Sequence, residues 1–356
     1  MHVAFSLLTL APGAVGGSET YARGLLDAFA EGHGPERVTV LVGPAVTAGG
    51  AVDVRHVSSA IAAGGAARLA GLLRGMARRD GSGADVLHHP LTVPAPRPRG
   101  PSVVTLHDVL HRELPSSFGR AERAFRRLAY ERAARRASRV ITVSEHARGQ
   151  IVRRLGIVPE HVAAIHAGID HARFTPTGPA EAPTERPFVL YPANLWPHKN
   201  HERLIAALSR VQGVALVLTG APSPRLAALE NQTRREGVEL IHLGYVDDLA
   251  PLYRGARAVV FPSLAEGWGA PVIEAMACGC PVAASDSGAV AEAAGGAALA
   301  FPPHDTAEMA DAIRRVTNND SLREQLRGEG LERAARLTWA AAAASHAEVY
   351  AEGLRA

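Results

Sequence analysis

The sequence predicts an α/β chain of two Rossmann-like, doubly wound domains, followed by a C-terminal helix that packs back on the first of them. Three observations carry this expectation. Short apolar strand candidates alternate with helical stretches along nearly the whole chain. A proline-rich stretch, Thr175-Pro176-Thr177-Gly178-Pro179-Ala180-Glu181-Ala182-Pro183, interrupts the series near its middle and can hold neither a helix nor a central strand. At 356 residues the chain is also too long for one core when domains average about 150 residues.

Val3 to Ser6 reads as a short buried strand, and Pro12-Gly13-Ala14-Val15-Gly16-Gly17 follows as a glycine-rich loop. Ser18 is the expected N-cap of a helix that carries Tyr21, Leu25, Leu26 and Phe29 on one side. Strand, glycine-rich turn and helix open a doubly wound domain. Further strands are expected at Val38–Val42, Val52–Val57, Asp85–Leu87, Val103–Leu106, Val140–Val143 and Val162–Ile165, with helices around 63–79, 120–138 and 144–155. A second series follows the proline-rich stretch, with strands near Phe188–Tyr191, Val214–Thr219, Leu240–Leu243, Ala258–Phe261 and Pro281–Ala284. The tail from Thr338 to Leu354 is Ala-rich and helical by propensity. The expected divisions are 1–175, 186–337 and 338–356. Open parallel sheets bind ligands beyond the carboxyl ends of their strands, so two such domains predict a site in a cleft between them.

Composition narrows the class. Hydrophobic residues at 47% and charged residues at 21% are those of a globular protein, and a net charge of +3 excludes a nucleic-acid specialist. Cys278 and Cys280, two positions apart, are too close for an ordinary disulfide and too few for a metal site, which fits a reducing cytoplasm. Met1-His2-Val3-Ala4-Phe5 lacks the basic start of a signal peptide, and no window reaches the ~18 apolar residues of a spanning helix. The expectation is a cytoplasmic protein, neither exported nor integral.

Glu266-Gly267-Trp268-Gly269-Ala270-Pro271-Val272-Ile273-Glu274 follows the strand ending Phe261-Pro262 and therefore lies at a strand's carboxyl end. Pro271 suits a first helical turn, so a helix N-terminus is expected there, with Gly267 and Gly269 letting the backbone approach an anion such as a diphosphate. Glu274, expected in that first turn, has a carboxylate that accepts hydrogen bonds from both hydroxyls of a ribose, and Glu266 does the same for sugar hydroxyls. The bland account is two glutamates complementing a helix dipole.

Tyr191-Pro192-Ala193-Asn194-Leu195-Trp196-Pro197-His198-Lys199-Asn200 repeats the strand-to-helix pattern, with Asn200 as N-cap and Lys199 offering its ammonium to phosphate oxygens. An ordinary exposed lysine is the alternative. In Val103-Val104-Thr105-Leu106-His107-Asp108-Val109, His107 ends a strand, where it would hydrogen-bond a sugar; a satisfied core histidine is the alternative. His88-His89, and His198 with His201, lack the remaining ligands of a metal site and read as loop or cap residues.

These residues resemble glycosyltransferase family 4, the retaining enzymes of GT-B fold. The E-x7-E element is Glu266 and Glu274, within Pro262 to Val282; its companions are Leu243-Gly244-Tyr245-Val246 and Gly295-Gly296-Ala297-Ala298. Gly16-Gly17, His107-Asp108, Ser144-Glu145 and Ala167-Gly168-Ile169-Asp170 extend the match over nearly the whole chain. The resemblance implies two domains facing across a cleft, with an acceptor-binding domain first and a donor-binding domain second. It implies that Glu274 holds the donor ribose and Glu266 the transferred sugar. The backbone of Gly267, Trp268, Gly269, Ala270, Pro271 and Val272 would hold sugar and diphosphate, and Lys199 would stabilise the leaving diphosphate. Gly16 and Gly17 would approach it, His107 would contact the donor sugar, and Tyr245 and Val246 would lie by the base. One departure stands out: many relatives carry an Arg shortly before the lysine, where this chain has Asn194, Leu195 and Trp196, so Asn194 is taken as its substitute.

The implied reaction moves a hexose from a nucleoside-diphosphate sugar to an acceptor hydroxyl with retention, and no catalytic metal or other cofactor is expected. The segment from Tyr191 to Asn200 and the E-x7-E block look most like members acting on GDP-mannose, with UDP- and dTDP-sugars next. A glycan, a lipid-linked acceptor or a small molecule would be shaped by loops around 44–50, 58–65 and 90–100. The basic stretch 120–139 is a candidate for peripheral contact with an anionic inner membrane face; the bland account turns Phe125 and Leu128 to the core and solvates the rest. Rival readings are a sugar-nucleotide 2-epimerase of the same fold and a catalytically silent donor-binding partner.

Overall fold

The computed structural model describes residues 1–10, 16–43, 46, 52–57 and 65–355, the side chains of 65–70 excepted. Pro12 to Val15 of the glycine-rich loop and most of the 44–50 and 58–65 loops therefore lie outside the described residues. The chain divides into two compact units, Met1–Gly168 with Leu337–Ala356, and Ile169–Arg336.

In the first unit the strands are β1 (His2–Ser6), β2 (Arg37–Val42), β3 (Asp53–His56), β4 (Val86–His89), β5 (Ser102–Thr105), β6 (Arg139–Thr142) and β7 (Val162–Ala164). The helices are α1 (Gly17–Ala30), α2 (Gly65–Ala77), α3 (Leu110–Glu113), α4 (Arg120–Arg126), α5 (Arg132–Arg136) and α6 (Glu145–Leu155). Among the described residues the strands form one parallel sheet in the order β3-β2-β1-β4-β5-β6-β7. Chain order reverses beside β1, the switch point of a doubly wound sheet. The inner strands are buried along almost their whole length because helices cover both faces. Helix α1 turns Tyr21, Leu25, Leu26 and Phe29 inward; it begins at Gly17, so Gly16 holds the cap position and Ser18 is already helical.

The second unit holds β8 (Phe188–Pro192), α7 (His201–Leu208), β9 (Ala215–Thr219), α8 (Leu226–Glu236), β10 (Leu240–His242), α9 (Ala250–Gly255), β11 (Ala258–Phe261) and α10 (Ala270–Ala277). It continues with β12 (Val282–Ser285), α11 (Gly288–Ala294), β13 (Leu299–Phe301), α12 (Thr306–Asn318) and α13 (Asp320–Ala335). Its strands are parallel in the order β10-β9-β8-β11-β12-β13, with the reversal beside β8. The last helix, α14 (Trp339–Arg355), belongs to the first unit and packs on α1, β4, β5 and β6. A Cβ at Gly24 would clash with the Trp339 ring, and one at Gly168 with the backbone at Trp339, so both glycines make room for the start of α14.

Three expectations need correction. The first division falls between Gly168 and Ile169, not at 175, because the proline-rich stretch is laid on the second unit: Arg254 donates from Nε to the Pro179 carbonyl at 2.6 Å and from Nη1 to the Thr175 carbonyl at 3.0 Å, and Glu181 N–H donates to the Pro251 carbonyl at 2.9 Å. The second falls between Arg336 and Leu337. His88 and His89 are buried residues of β4 rather than loop residues, one on each covered face of the sheet.

Candidate functional site

In the second unit, two strand-to-helix connections leave the carboxyl ends of the neighbouring strands β8 and β11. After β8, Pro197–Lys199 form a 3-10 turn, and Asn200 takes a left-handed conformation (φ 64°) that reverses the chain into α7. Asn200 occupies the cap position but makes no capping bond. Its buried Nδ2 donates to the carbonyls of Pro262 at 3.0 Å and Pro303 at 2.7 Å, while Oδ1 accepts from Arg203 at 2.9 Å. The Tyr191 hydroxyl donates to the Lys199 carbonyl at 2.9 Å, and Ser263 Oγ donates to that hydroxyl's oxygen at 2.9 Å. The Lys199 carbonyl is thus held from β8 by Tyr191, whose hydroxyl is itself braced by Ser263 just beyond β11.

That pinning delivers the Lys199 ammonium to Glu266: Nζ lies 2.5 Å from Oε1, with the side chains 13% and 12% exposed. The ammonium also lies 5.6 Å from the centre of the Phe261 ring. The sequence reading left this ammonium free; it is held by the carboxylate from the facing loop.

Glu266 precedes α10. Gly269 caps that helix with φ 119°, a conformation that favours glycine, and Pro271 lies in the first turn. Glu274 is the fifth helical residue, one turn later than expected from sequence. Its Oε2 accepts from the Tyr253 hydroxyl of α9 at 2.7 Å. Burial raises the Glu274 carboxyl above its ordinary range, opposed by that hydrogen bond and by the charge of Arg173. Tyr253, fully buried, was not singled out from sequence, and nothing in its local spacing marks it.

In the first unit, Gly16 (φ 54°) and Gly17 open α1 in an exposed position, and a Cβ on either would meet nothing within 4 Å. His107 stands two residues beyond the end of β5, partly buried. Its Nε2 donates to the Pro90 carbonyl at 2.9 Å, which leaves Nδ1 as the acceptor of a neutral ring, and burial lowers its pKa. The Tyr21 ring of α1 packs against it with centroids 4.9 Å apart and an interplanar angle of 86°.

Tyr245 is 71% exposed in the loop after β10, and Val246 beside it is partly buried. Asn194 does not present its carbonyl oxygen outward: Oδ1 accepts from Ala221 N–H at 3.0 Å, tying the loops after β8 and β9 together. Trp268 and Gly269 are buried, whereas Gly267, Ala270 and Pro271 are partly exposed and Val272 is core. His198 is buried in the 3-10 turn, and His201 opens α7 with neither ring nitrogen bonded. The basic stretch is helical but joined by a π turn, Arg127–Glu131, between α4 and α5. The extra residue rotates the apolar stripe, so Phe125 packs on Tyr130 while Leu128, expected in the core, is 68% exposed.

Comparison with known proteins matches two successive parts of the chain. Residues 15–173 match the family described as Glycosyltransferase Family 4, and residues 186–319 that described as Glycosyl transferases group 1. A D-inositol 3-phosphate glycosyltransferase of Streptomyces bingchenggensis is 30% identical over 66% of this chain and 57% of its own length. The O-antigen chain mannosyltransferase B of Escherichia coli is 28% identical over 72% of this chain and 71% of its own. The chain spans about half the length of the D-inositol 3-phosphate glycosyltransferases it matches. Among solved structures, sucrose-phosphate synthase from Thermosynechococcus elongatus superposes with a TM-score of 0.77 at 20% identity, covering 99% of this chain and 98% of that one. Anabaena HepE in complex with UDP and glucose gives 0.72 at 20% identity, covering 99% of each chain.

Proposed function

The chain belongs to glycosyltransferase family 4 and has the α/β GT-B fold, and from that premise we propose that it transfers a hexose from a nucleoside-diphosphate sugar to an acceptor hydroxyl. The observation that carries this reading is the Lys199–Glu266 ion pair, set at adjoining strand ends with the Lys199 carbonyl held by Tyr191. Cleavage of the bond to diphosphate leaves negative charge on the departing oxygens, so the reaction needs a fixed cation more than a strong base. Lys199 meets that charge, helped by the N-terminus of α10. Glu266, its partner until the donor arrives, accepts hydroxyls of the transferred sugar. Glu274 accepts the ribose hydroxyls, its carboxylate oriented by Tyr253.

In this reading Gly16 and Gly17 approach the diphosphate, His107 Nδ1 accepts a hydrogen bond from the donor sugar, and Tyr245 and Val246 adjoin the base. Asn194 acts through the loop it braces. The transfer proceeds with retention by front-face attack, the departing phosphate taking the acceptor's proton, without a metal. GDP-mannose is the first donor to test, a choice supported by the likeness to mannosyltransferases; a UDP-sugar is next, given the UDP-bound relative. Leu128 with Arg127, Arg132 and Arg136 forms an exposed apolar and cationic face, which supports peripheral contact with anionic lipid. Loss of cosedimentation with anionic vesicles in Leu128→Asp tests that contact.

The test of the donor site is a thermal-shift screen against GDP, UDP, dTDP and ADP and their sugars, repeated with Glu274→Ala and Lys199→Ala. Stabilisation by one nucleotide, lost in both variants, is expected and names the base. Binding without transfer or hydrolysis would favour the silent donor-binding partner, and no stabilisation by any nucleotide would overturn the donor site.

A further inference from the structure

Beneath α14 the first unit contains a run of buried polar side chains that bond one another. His346 Nδ1 lies 2.6 Å from the Ala342 carbonyl and its Nε2 lies 2.6 Å from the Tyr21 hydroxyl. That hydroxyl lies 3.1 Å from Thr105 Oγ1, which in turn lies 2.8 Å from His88 Nε2, and His88 Nδ1 lies 2.7 Å from the Tyr350 hydroxyl. All five side chains are at most 3% exposed.

The chemistry of the atoms gives the chain one direction. A carbonyl only accepts, so His346 Nδ1 carries the hydrogen and the neutral ring's Nε2 accepts from Tyr21. The Tyr21 oxygen then has only lone pairs left, so Thr105 donates to it. The Thr105 oxygen must accept from His88 Nε2–H, which leaves His88 Nδ1 to accept from Tyr350. Reversing a link strands a contact with no hydrogen in it. Burial keeps both histidines uncharged, which this direction requires.

Tyr21 is the link that matters for chemistry, because its ring is the surface against which the His107 imidazole packs. Among the described residues the imidazole makes one hydrogen bond, from Nε2 to the Pro90 carbonyl, and a single hydrogen bond leaves a ring free to swing about it. We propose that His346 is a positioning residue for His107: helix α14, entering the chain of hydrogen bonds at both ends through His346 and Tyr350, fixes the Tyr21 ring and through it the imidazole that meets the donor sugar. The C-terminal segment, more than two hundred residues from His107 in sequence, thereby sets the geometry of a residue it does not itself carry.

The role of His107 in transfer rests on the sugar-transfer reading above, but its orientation does not, and the test separates them. His346→Leu, His346→Gln and Tyr21→Phe are compared with the intact protein by two readouts. One is the titration and ring-nitrogen NMR signal of His107; the other is kcat and KM for the nucleotide sugar that the stabilisation screen selects. In His346→Leu and Tyr21→Phe the His107 titration is expected to move up toward the ordinary histidine value, and kcat to fall about tenfold with KM for the donor held within about twofold. His346→Gln, whose amide oxygen reaches the Tyr21 hydroxyl, is expected to restore both.

An unchanged His107 titration in folded His346→Leu and Tyr21→Phe would overturn the proposal. So would a loss of activity in His346→Leu that follows the folded fraction and is not rescued by Gln. If His346→Leu does not fold, Tyr21→Phe, which keeps the ring and removes only the hydroxyl, decides alone. A protein that transfers no sugar at all would remove the sugar-transfer reading while leaving the titration to judge the positioning role.

Discussion

The two units follow one plan of parallel strands with a switch point beside the first strand of each, yet one polar grouping in each is built differently. In the first, the chain from Tyr350 through His88, Thr105 and Tyr21 to His346 is neutral throughout; in the second, the rim above β8 and β11 is organised by the Lys199–Glu266 ion pair and the Glu274–Tyr253 hydrogen bond. A neutral chain is satisfied within itself and makes a rigid support. An ion pair at a partly open rim is different, because each charge can exchange its partner for a charged or hydroxyl-bearing ligand without being left bare.

The largest expected effect breaks the charged side of this comparison. Lys199→Ala removes the cation proposed to meet the leaving diphosphate, and kcat should fall on the order of 10²- to 10³-fold. Glu266→Gln, which keeps a hydrogen-bonding group for the sugar, should fall less. Steady-state kinetics with the donor picked out by stabilisation checks both. Lys199→Ala turning over like the intact protein would reduce the ion pair to a structural contact.

The next effect tests the neutral side through pH. Burial lowers His88 well below its ordinary value and brings His89 and His346 to about 4, all three in the first unit. Above about pH 6.5 these groups are uncharged in both folded and unfolded chain, so their contribution is complete. As pH falls, the unfolded chain takes up protons that the folded unit refuses, and each group costs about 1.4 kcal/mol per pH unit until its folded value is reached. In the second unit His201 is lowered likewise, to about 3. The first unit should therefore open first on acidification from pH 7 to 4.5. Single-tryptophan variants report it, since Trp339 lies in the first unit and Trp196 and Trp268 in the second. Simultaneous loss of all three signals would show the units to be one cooperative body.

Much of the second unit's candidate site was legible in the sequence, because strand, turn and helix follow one another locally and the E-x7-E spacing fits one connection. Lys199, Glu266 and Gly269 announce themselves by type and place. The missed features are joined through space. Tyr253 reaches Glu274 across 21 positions, and Tyr21 reaches His346 across 325, with no periodicity to betray either. Adjacent histidines read as loop because polar pairs are rare in strands; a sheet covered on both faces buries both neighbours, with His88 bonded to Thr105 and Tyr350, and His89 bonded through Nε2 to the Pro96 carbonyl while its Nδ1 has no partner. Strand β13 is three residues in an Ala- and Gly-rich stretch, too short to show alternation. Leu128 follows helical spacing correctly; the π turn that moves it outward has no sequence signature of its own.

The smallest expected effect sharpens the comparison at Tyr253, where a neutral hydroxyl supports a charged group. In the proposed site ribose hydroxyls donate to the Glu274 carboxylate, so nucleotide binding needs Glu274 ionised. Burial holds its pKa above the ordinary carboxylate range, while the Tyr253 hydrogen bond favours the ionised form. Tyr253→Phe removes that bond and pushes the pKa further up. Binding of the stabilising nucleotide should then weaken by about fivefold at pH 8, the worth of about 1 kcal/mol, and by more at pH 6, because the variant is the more protonated of the two there. Calorimetric titration at both pH values gives the two ratios. Equal weakening at pH 6 and pH 8 would mean that Tyr253 orients the Glu274 carboxylate without tuning its ionisation, and no weakening at either would move the ribose contact away from Glu274.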